Sequence, residues 1–105
     1  MSTQILKPFY PVHPGEILKE EFEHRGISQK RVSEMIGVPY TMLNEILNCK
    51  RQLSTEVALM VEAAFDINAD MLVNIQSRYN LQIARSDAKI SKRFESIRKI
   101  CASLL

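Results

Sequence analysis

The feature that most constrains this chain of 105 residues is a short corner within residues 28–51. Apolar side chains recur at helical spacing on both sides of Gly37, at Val32, Met35, Ile36, Leu43, Ile46 and Leu47. Glycine suits the corner because it adopts a left-handed backbone without steric cost. Ser33 precedes it by four residues and is small enough to let two helices cross closely. The stretch therefore predicts two short helices joined by a tight turn, a helix-turn-helix.

Polar side chains fall on the face of the second helix opposite its apolar side chains. The candidates for contact with DNA bases on this face are Tyr40, Thr41, Asn44 and Asn48. Asparagine can pair with adenine through both a donor and an acceptor, and threonine can contact a thymine methyl group. The candidates for contact with DNA phosphates flank the helices, at Gln29, Lys30, Lys50 and Arg51. The alternative is an ordinary helical hairpin whose polar side chains are only solvated.

Charge is distributed unevenly along the chain, although the formal net charge is only +2. Residues 28–51 carry four bases and two acids, and residues 85–99 carry six bases and two acids, whereas residues 14–25 carry four acids and two bases. Positive charge thus collects on the helix-turn-helix and near the C-terminus. This distribution favours a nucleic-acid partner.

The composition is typical of a soluble helical protein with one domain and short appendages, since 46% of residues are hydrophobic and 25% charged. No apolar run approaches the roughly 20 residues that a membrane span needs, and the N-terminus lacks the apolar core of a signal peptide. We therefore expect a cytoplasmic protein without a membrane partner. The cysteines and histidines lack the spacing of a metal site, and no catalytic set is evident, which predicts no metal, no cofactor and no enzymatic activity.

Three segments are expected along the chain. Residues 1–12 contain prolines that favour an extended N-terminal arm, either folded over the core or captured by a partner protein. Residues 13–85 hold the helix-turn-helix within a domain of five helices. Residues 86–105 form a C-terminal amphipathic helix, with an apolar stripe at Ile90, Phe94, Ile97, Cys101 and Leu104. The stripe either covers the core of the domain or pairs with another subunit or a partner protein.

Helix ends follow from capping residues. Pro14 begins the first helix and Gly26 ends it, Ser28 caps the second, and Ser54 or the threonine after it caps the fourth. The side chains predicted to face the core from the first, fourth and fifth helices are Ile17, Leu18, Phe22, Val57, Val61, Ala64, Phe65, Met71, Leu72, Ile75 and Tyr79.

Five stretches resemble one protein family: HPGEILKEEF from His13, SQKRVSEMIGVP from Ser28, TMLNEILNCKRQLS from Thr41, ALMVEAAF from Ala58 and NIQSRYNL from Asn74. The chain is similar over residues 13–83 to the HigA and virulence-associated protein I antitoxins, a branch of the helix-turn-helix domains related to phage repressors. The resemblance implies an all-α, lambda-repressor-like domain of five helices, a homodimer and a palindromic operator in the protein's own promoter. It also implies neutralisation of a co-transcribed RNase toxin similar to HigB.

Two residues depart from the pattern of that family. Cys49 stands where a glycine is usual, so that either Asn48 takes the left-handed conformation or the loop is built differently. Leu72 stands where a tryptophan is common. We expect a repressor that binds its own operator and a toxin. The alternatives are a solitary phage-like repressor and a protein-interaction module without DNA binding; a neighbouring gene for a small basic protein would favour the antitoxin.

Overall fold

A computed structural model describes residues 10–104, so the predicted N-terminal arm lies largely outside the described residues. Within that range the chain forms six α-helices and no strand. They are α1 (Pro14–Arg25), α2 (Gln29–Ile36), α3 (Tyr40–Leu47), α4 (Thr55–Phe65), α5 (Ala69–Ser86) and α6 (Ala88–Ser103). The predicted all-α fold, with five helices and a further helix at the C-terminus, is confirmed.

The ends of the short helices are set by the predicted capping residues. The Ser28 hydroxyl accepts from a backbone N–H of α2 at 3.1 Å, and the Ser54 hydroxyl accepts from one of α4 at 3.2 Å. Ser54 is thus the cap of α4, and the following threonine is its first residue. Gly26 and Gly37 end α1 and α2 in the left-handed conformation, each with φ 71°, which glycine adopts without strain.

The core lies where α1 to α4 and the start of α5 meet. Its buried apolar side chains are Leu18, Phe22, Val32, Ile36, Val38, Leu43, Ile46, Leu47, Leu53, Val57, Ala58, Val61, Phe65, Ala69 and Leu72. Phe22 and Phe65 pack with their ring centroids 5.1 Å apart. Ser33 is 6% exposed in α2, so the predicted small residue is indeed enclosed.

Some predicted core positions were wrong. Met35 and Met71 are 45% and 42% exposed, and Ala64 is also exposed. Helix α2 has only eight residues and buries three of them, Val32, Ser33 and Ile36, which leaves Met35 outside its buried face. On α4 the buried face includes Ala58 instead of Ala64. The predicted side chains at positions 17, 75 and 79 are only partly buried.

A buried polar side chain fastens α5 to the loop before α4. Gln76 is 5% exposed, and its side-chain oxygen accepts the backbone N–H of Leu53 at 2.8 Å. The bond satisfies an N–H that burial would otherwise leave without an acceptor, which typically costs about 1–3 kcal/mol.

The chain divides into two compact units, one of residues 12–77 and one that contains residues 78–104. The boundary that the sequence predicted between residues 85 and 86 stays a prediction. In the second unit Asp87 caps α6 by accepting the N–H of Lys89 at 2.8 Å. No residue of α6 is buried, and Phe94 and Ile97 of its apolar stripe are 40% and 48% exposed. Among residues 10–104 no helix is long and apolar enough to cross a membrane.

Candidate nucleic-acid interface

The predicted base-contacting side chains lie on the outer face of α3. Tyr40 is 51% exposed, Thr41 is exposed, and Asn44 is partly buried one turn further on. The side-chain nitrogen of Asn44 donates to the side-chain oxygen of Gln29, at the start of α2, at 2.9 Å. This bond joins the two helices of the motif on the surface that carries the candidate side chains. A predicted base contact and a predicted phosphate contact are thereby held side by side.

Asn48 does not join this group. Its side-chain nitrogen donates to the Asn44 carbonyl at 2.9 Å, and its side-chain oxygen lies 3.5 Å from the Lys19 ammonium of α1. It lines a groove of about 320 Å³ between α1 and the end of α3, together with Glu16, Lys19, Glu20, Glu23, Leu47 and Cys49. Its side chain is thus turned toward an acidic helix.

The predicted phosphate-contacting cations differ in their surroundings. Lys30 and Lys50 are exposed. Arg51 is exposed as well, but its Nε donates to the Glu45 carboxylate at 2.8 Å, and both side chains of this pair are substantially accessible to solvent. A surface pair of this kind contributes little stability and exchanges readily for another anion. In the absence of DNA, Arg51 therefore lies beside α3 and is paired with Glu45.

The loop that follows α3, residues 48–51, is named here the post-recognition loop. Cys49 adopts the left-handed conformation with φ 64°, whereas Asn48 has φ −97°, so of the two alternatives that the sequence left open the loop is built differently, with the cysteine itself in the left-handed conformation. The N–H of Cys49 donates to the Ile46 carbonyl at 3.1 Å, and the N–H of Lys50 donates to the Glu45 carbonyl at 2.8 Å. These two bonds form a Schellman motif, which requires its left-handed residue at position 49. A side chain there is strained by about 1–2 kcal/mol relative to glycine.

Two residues that the sequence did not assign to the site, His13 and Gly15, hold this loop from behind. His13 is 2% exposed and caps α1, since its Nδ1 accepts the Gly15 N–H at 2.9 Å. The ring also forms a hydrogen bond with the backbone of Arg51. A Cβ atom on Gly15 would collide with the Ile46 carbonyl oxygen and lie 2.9 Å from its carbon. The start of α1 thus rests directly on the last turn of α3.

The residues of this contact belong to the stretch His-Pro-Gly-Glu of the sequence. That stretch predicted the start of α1 and formed part of the family resemblance, but it gave no indication of a contact with residue 51. Burial lowers the pKa of His13 below its usual value, against the opposing effects of the hydrogen bond to the Arg51 backbone and of the Glu16 carboxylate. The ring is therefore neutral near pH 7, as its accepting Nδ1 requires.

No group of three or more His, Cys, Asp or Glu in residues 10–104 could hold a metal ion. The site instead consists of two crossed helices, an exposed polar face that includes amides, and basic residues at its margins. This arrangement defines a helix-turn-helix protein.

Comparison with known proteins agrees with that class. Residues 18–72 match the HTH_3 helix-turn-helix family, and the chain belongs to it. It is 32% identical over 77 residues to virulence-associated protein I of Dichelobacter nodosus, which covers 72% of this chain and 71% of the relative. The predicted resemblance to the virulence-associated protein I and HigA proteins is therefore confirmed.

Two solved structures from Pseudomonas aeruginosa are similar in fold and sequence. The antitoxin HigA, solved with the higBA promoter, is 32% identical with a TM-score of 0.74, over 83% of this chain and 94% of that one. A protein solved with its 18-bp operator DNA is 31% identical with a TM-score of 0.73, over 84% of this chain and 92% of that one. Both were solved with DNA.

Proposed function

We propose that this chain is a DNA-binding antitoxin that recognises an operator in its own promoter through α2 and α3. The observation that carries the proposal is the hydrogen bond between Asn44 and Gln29, which holds two polar side chains together on the exposed face of the motif. The similarity to an antitoxin solved with promoter DNA and to a protein solved with its operator DNA supports DNA binding.

In this proposal α3 enters the major groove. Tyr40, Thr41 and Asn44 contact base edges, and the amide of Asn44 pairs with an adenine. With its nitrogen already donating to Gln29, Asn44 retains one N–H and its oxygen for this pairing. Lys30 and Lys50 contact phosphates on either side of the groove. Arg51 joins them when a phosphate displaces Glu45.

The test is Asn44→Ala, titrated against the DNA upstream of the gene and against a scrambled duplex of equal length. We expect the variant to lose about 1–3 kcal/mol on the operator and little on the scrambled duplex. Asn74→Ala, which removes an exposed asparagine from α5, is the matched control. Equal losses on both duplexes would assign Asn44 to the DNA backbone. No loss on either would remove α3 from the interface.

A single short recognition helix contacts few base pairs, and we propose that the protein acts as a homodimer on two half-sites. The half-sites of such a dimer lie about 34–36 Å apart, which is one turn of DNA. Analytical sedimentation of the free protein and of its operator complex measures how many copies of the chain each contains. A monomer in both would contradict the dimer.

The antitoxin role requires a toxin, and we propose a HigB-like RNase encoded beside this chain. The similarity to virulence-associated protein I and to HigA supports this partner. Co-expression with the neighbouring reading frame should restore growth that the toxin alone arrests. Asn44→Ala should rescue growth as well as the wild type, because its side chain lies on the DNA-facing surface. A chain that binds its operator but has no toxin beside it would be the solitary repressor.

A further inference from the structure

The ring of His13 links two parts of the molecule that are far apart in sequence. One ring nitrogen, Nδ1, accepts from Gly15 at the start of α1. The second hydrogen bond joins the ring to the backbone of Arg51, 38 residues later. Because Nδ1 acts as an acceptor, the proton of the neutral ring is on Nε2, and Nε2–H is the donor to the Arg51 carbonyl.

We infer that His13 is a positioning residue for DNA binding, whose ring fixes the post-recognition loop so that Lys50 and Arg51 face the phosphates. The inference rests on the proposed function, because it concerns the same DNA surface. Nothing in it requires His13 to contact DNA: the ring is 2% exposed and lies behind the loop.

The loop needs such support because its own conformation is unfavourable. Cys49 is held at φ 64°, a conformation that a residue with a side chain adopts only under constraint. The Schellman bonds of Cys49 and Lys50 hold the loop to the end of α3, while the ring of His13 holds its other end at Arg51. Gly15 lies against the Ile46 carbonyl, and this contact brings the neighbouring His13 ring close to the loop and to the backbone of Arg51. Loss of the ring therefore releases the side of the loop that carries the two cations.

His13→Asn separates this role from ordinary helix capping. Asparagine is among the preferred N-cap residues, so its side-chain oxygen replaces Nδ1 as the acceptor for Gly15. Its side chain is too short to reach the Arg51 carbonyl. The variant thus keeps the cap of α1 and removes the bond to the loop together with the packing of the buried ring, and amide exchange at Val32 in α2 shows whether the lost packing affects the whole domain. His24→Asn, which replaces the exposed histidine at the end of α1, is the matched control.

Two measurements on the full chain test the inference. The first is amide hydrogen exchange of the free protein, where His13→Asn should speed exchange at Cys49 and Lys50 by roughly three- to tenfold, the effect of removing one hydrogen bond. Exchange at Val32 in α2, whose N–H donates to the Ser28 carbonyl, should stay unchanged. The second is the salt dependence of operator binding. Its slope should fall by about 0.9 for each phosphate that the protein no longer neutralises, or by about 1.8 if neither cation reaches a phosphate.

The outcomes separate the two proposals. Faster exchange in the loop together with a reduced salt slope supports the positioning role. Wild-type exchange and slope in His13→Asn would overturn it while leaving the proposed DNA binding intact. Equally faster exchange at Val32 would also overturn it, because His13 would then support the whole domain. A wild-type protein that binds no DNA would remove the proposed function itself, and with it the role of the loop.

Discussion

The contact between the start of α1 and the end of α3 predicts an unusual response to a mild substitution, Gly15→Ala. Gly15 is the second residue of α1, where alanine stabilises the helix by at most about 1 kcal/mol relative to glycine, the value for a helix interior. Here the new Cβ would collide with the Ile46 carbonyl oxygen. That oxygen belongs to the backbone of α3 and cannot rotate away, so α1 and α3 must separate.

The expected change in the free energy of unfolding is the difference between these two opposing effects, the steric clash and the gain in helix propensity. Overpacking of a filled interior costs about 1–3 kcal/mol, and a clash with backbone lies at the upper end of that range. After subtraction of the gain in helix propensity, the net loss is about 2 kcal/mol. For a domain of this size such a loss lowers Tm by about 8–16 °C. The carbonyl of Ile46 also accepts a bond of the post-recognition loop, so operator affinity should fall as well.

Thermal unfolding followed by circular dichroism measures the first effect, and a DNA titration well below Tm measures the second. Gly26→Ala is the control: Gly26 has φ 71° and open space around its Cα, so its loss comes from backbone strain alone, about 1–2 kcal/mol. That variant should keep the operator affinity of the wild type. A Gly15→Ala protein as stable as the wild type, or more stable, would refute the close contact of α1 and α3.

Three further outcomes are expected. The pKa of His13 is lowered from 6.5 in the folded chain, so the unfolded chain takes up the proton first as pH falls. The contribution of the neutral His13 ring to stability is therefore complete above about pH 6.5 and is lost as pH falls from there through the lowered pKa. Thermal melts over this pH range measure the loss, and His13→Asn should show a flatter dependence of Tm on pH. Glu45→Gln should remove the carboxylate that pairs with Arg51 and so strengthen DNA binding by about 1 kcal/mol in a DNA titration. Glu34→Gln on α2, which removes the longer pair with Arg31, should strengthen binding by less in the same titration. Gln76→Leu should lower the free energy of unfolding in urea by about 1–3 kcal/mol, because it leaves a buried N–H without an acceptor; an unchanged value would mean that water satisfies that group.

Local sequence signals were sufficient for the motif itself. Apolar spacing around Gly37 predicted both helices, and the capping serines predicted where two helices begin. These features depend on contacts within a few residues, so the sequence displays them directly. The polar face of α3 followed by geometry once its apolar face was known.

What the sequence could not supply were features that depend on distant contacts. Periodicity places Met35 at the edge of the apolar face of α2, and only the packing of neighbouring helices decides that it is exposed. Nothing near residue 13 in the sequence shows that His13 bonds to the backbone of residue 51. The left-handed conformation of Cys49 follows from the Schellman bonds; the family resemblance marked the position as one where a glycine is usual, but it did not show that the cysteine would keep that conformation.

The surroundings of Cys49 have a consequence for chemical labelling of the protein. Its sulfur lies 4.0 Å from the Glu16 carboxylate, and burial together with that negative charge raises the pKa of the thiol. Thiol reagents react with the thiolate, which is therefore scarce at this position near neutral pH. Cys101, in contrast, is exposed on α6. A maleimide dye should attach to Cys101 first, which places a reporter on the C-terminal helix while leaving the surface of α2 and α3 unmodified.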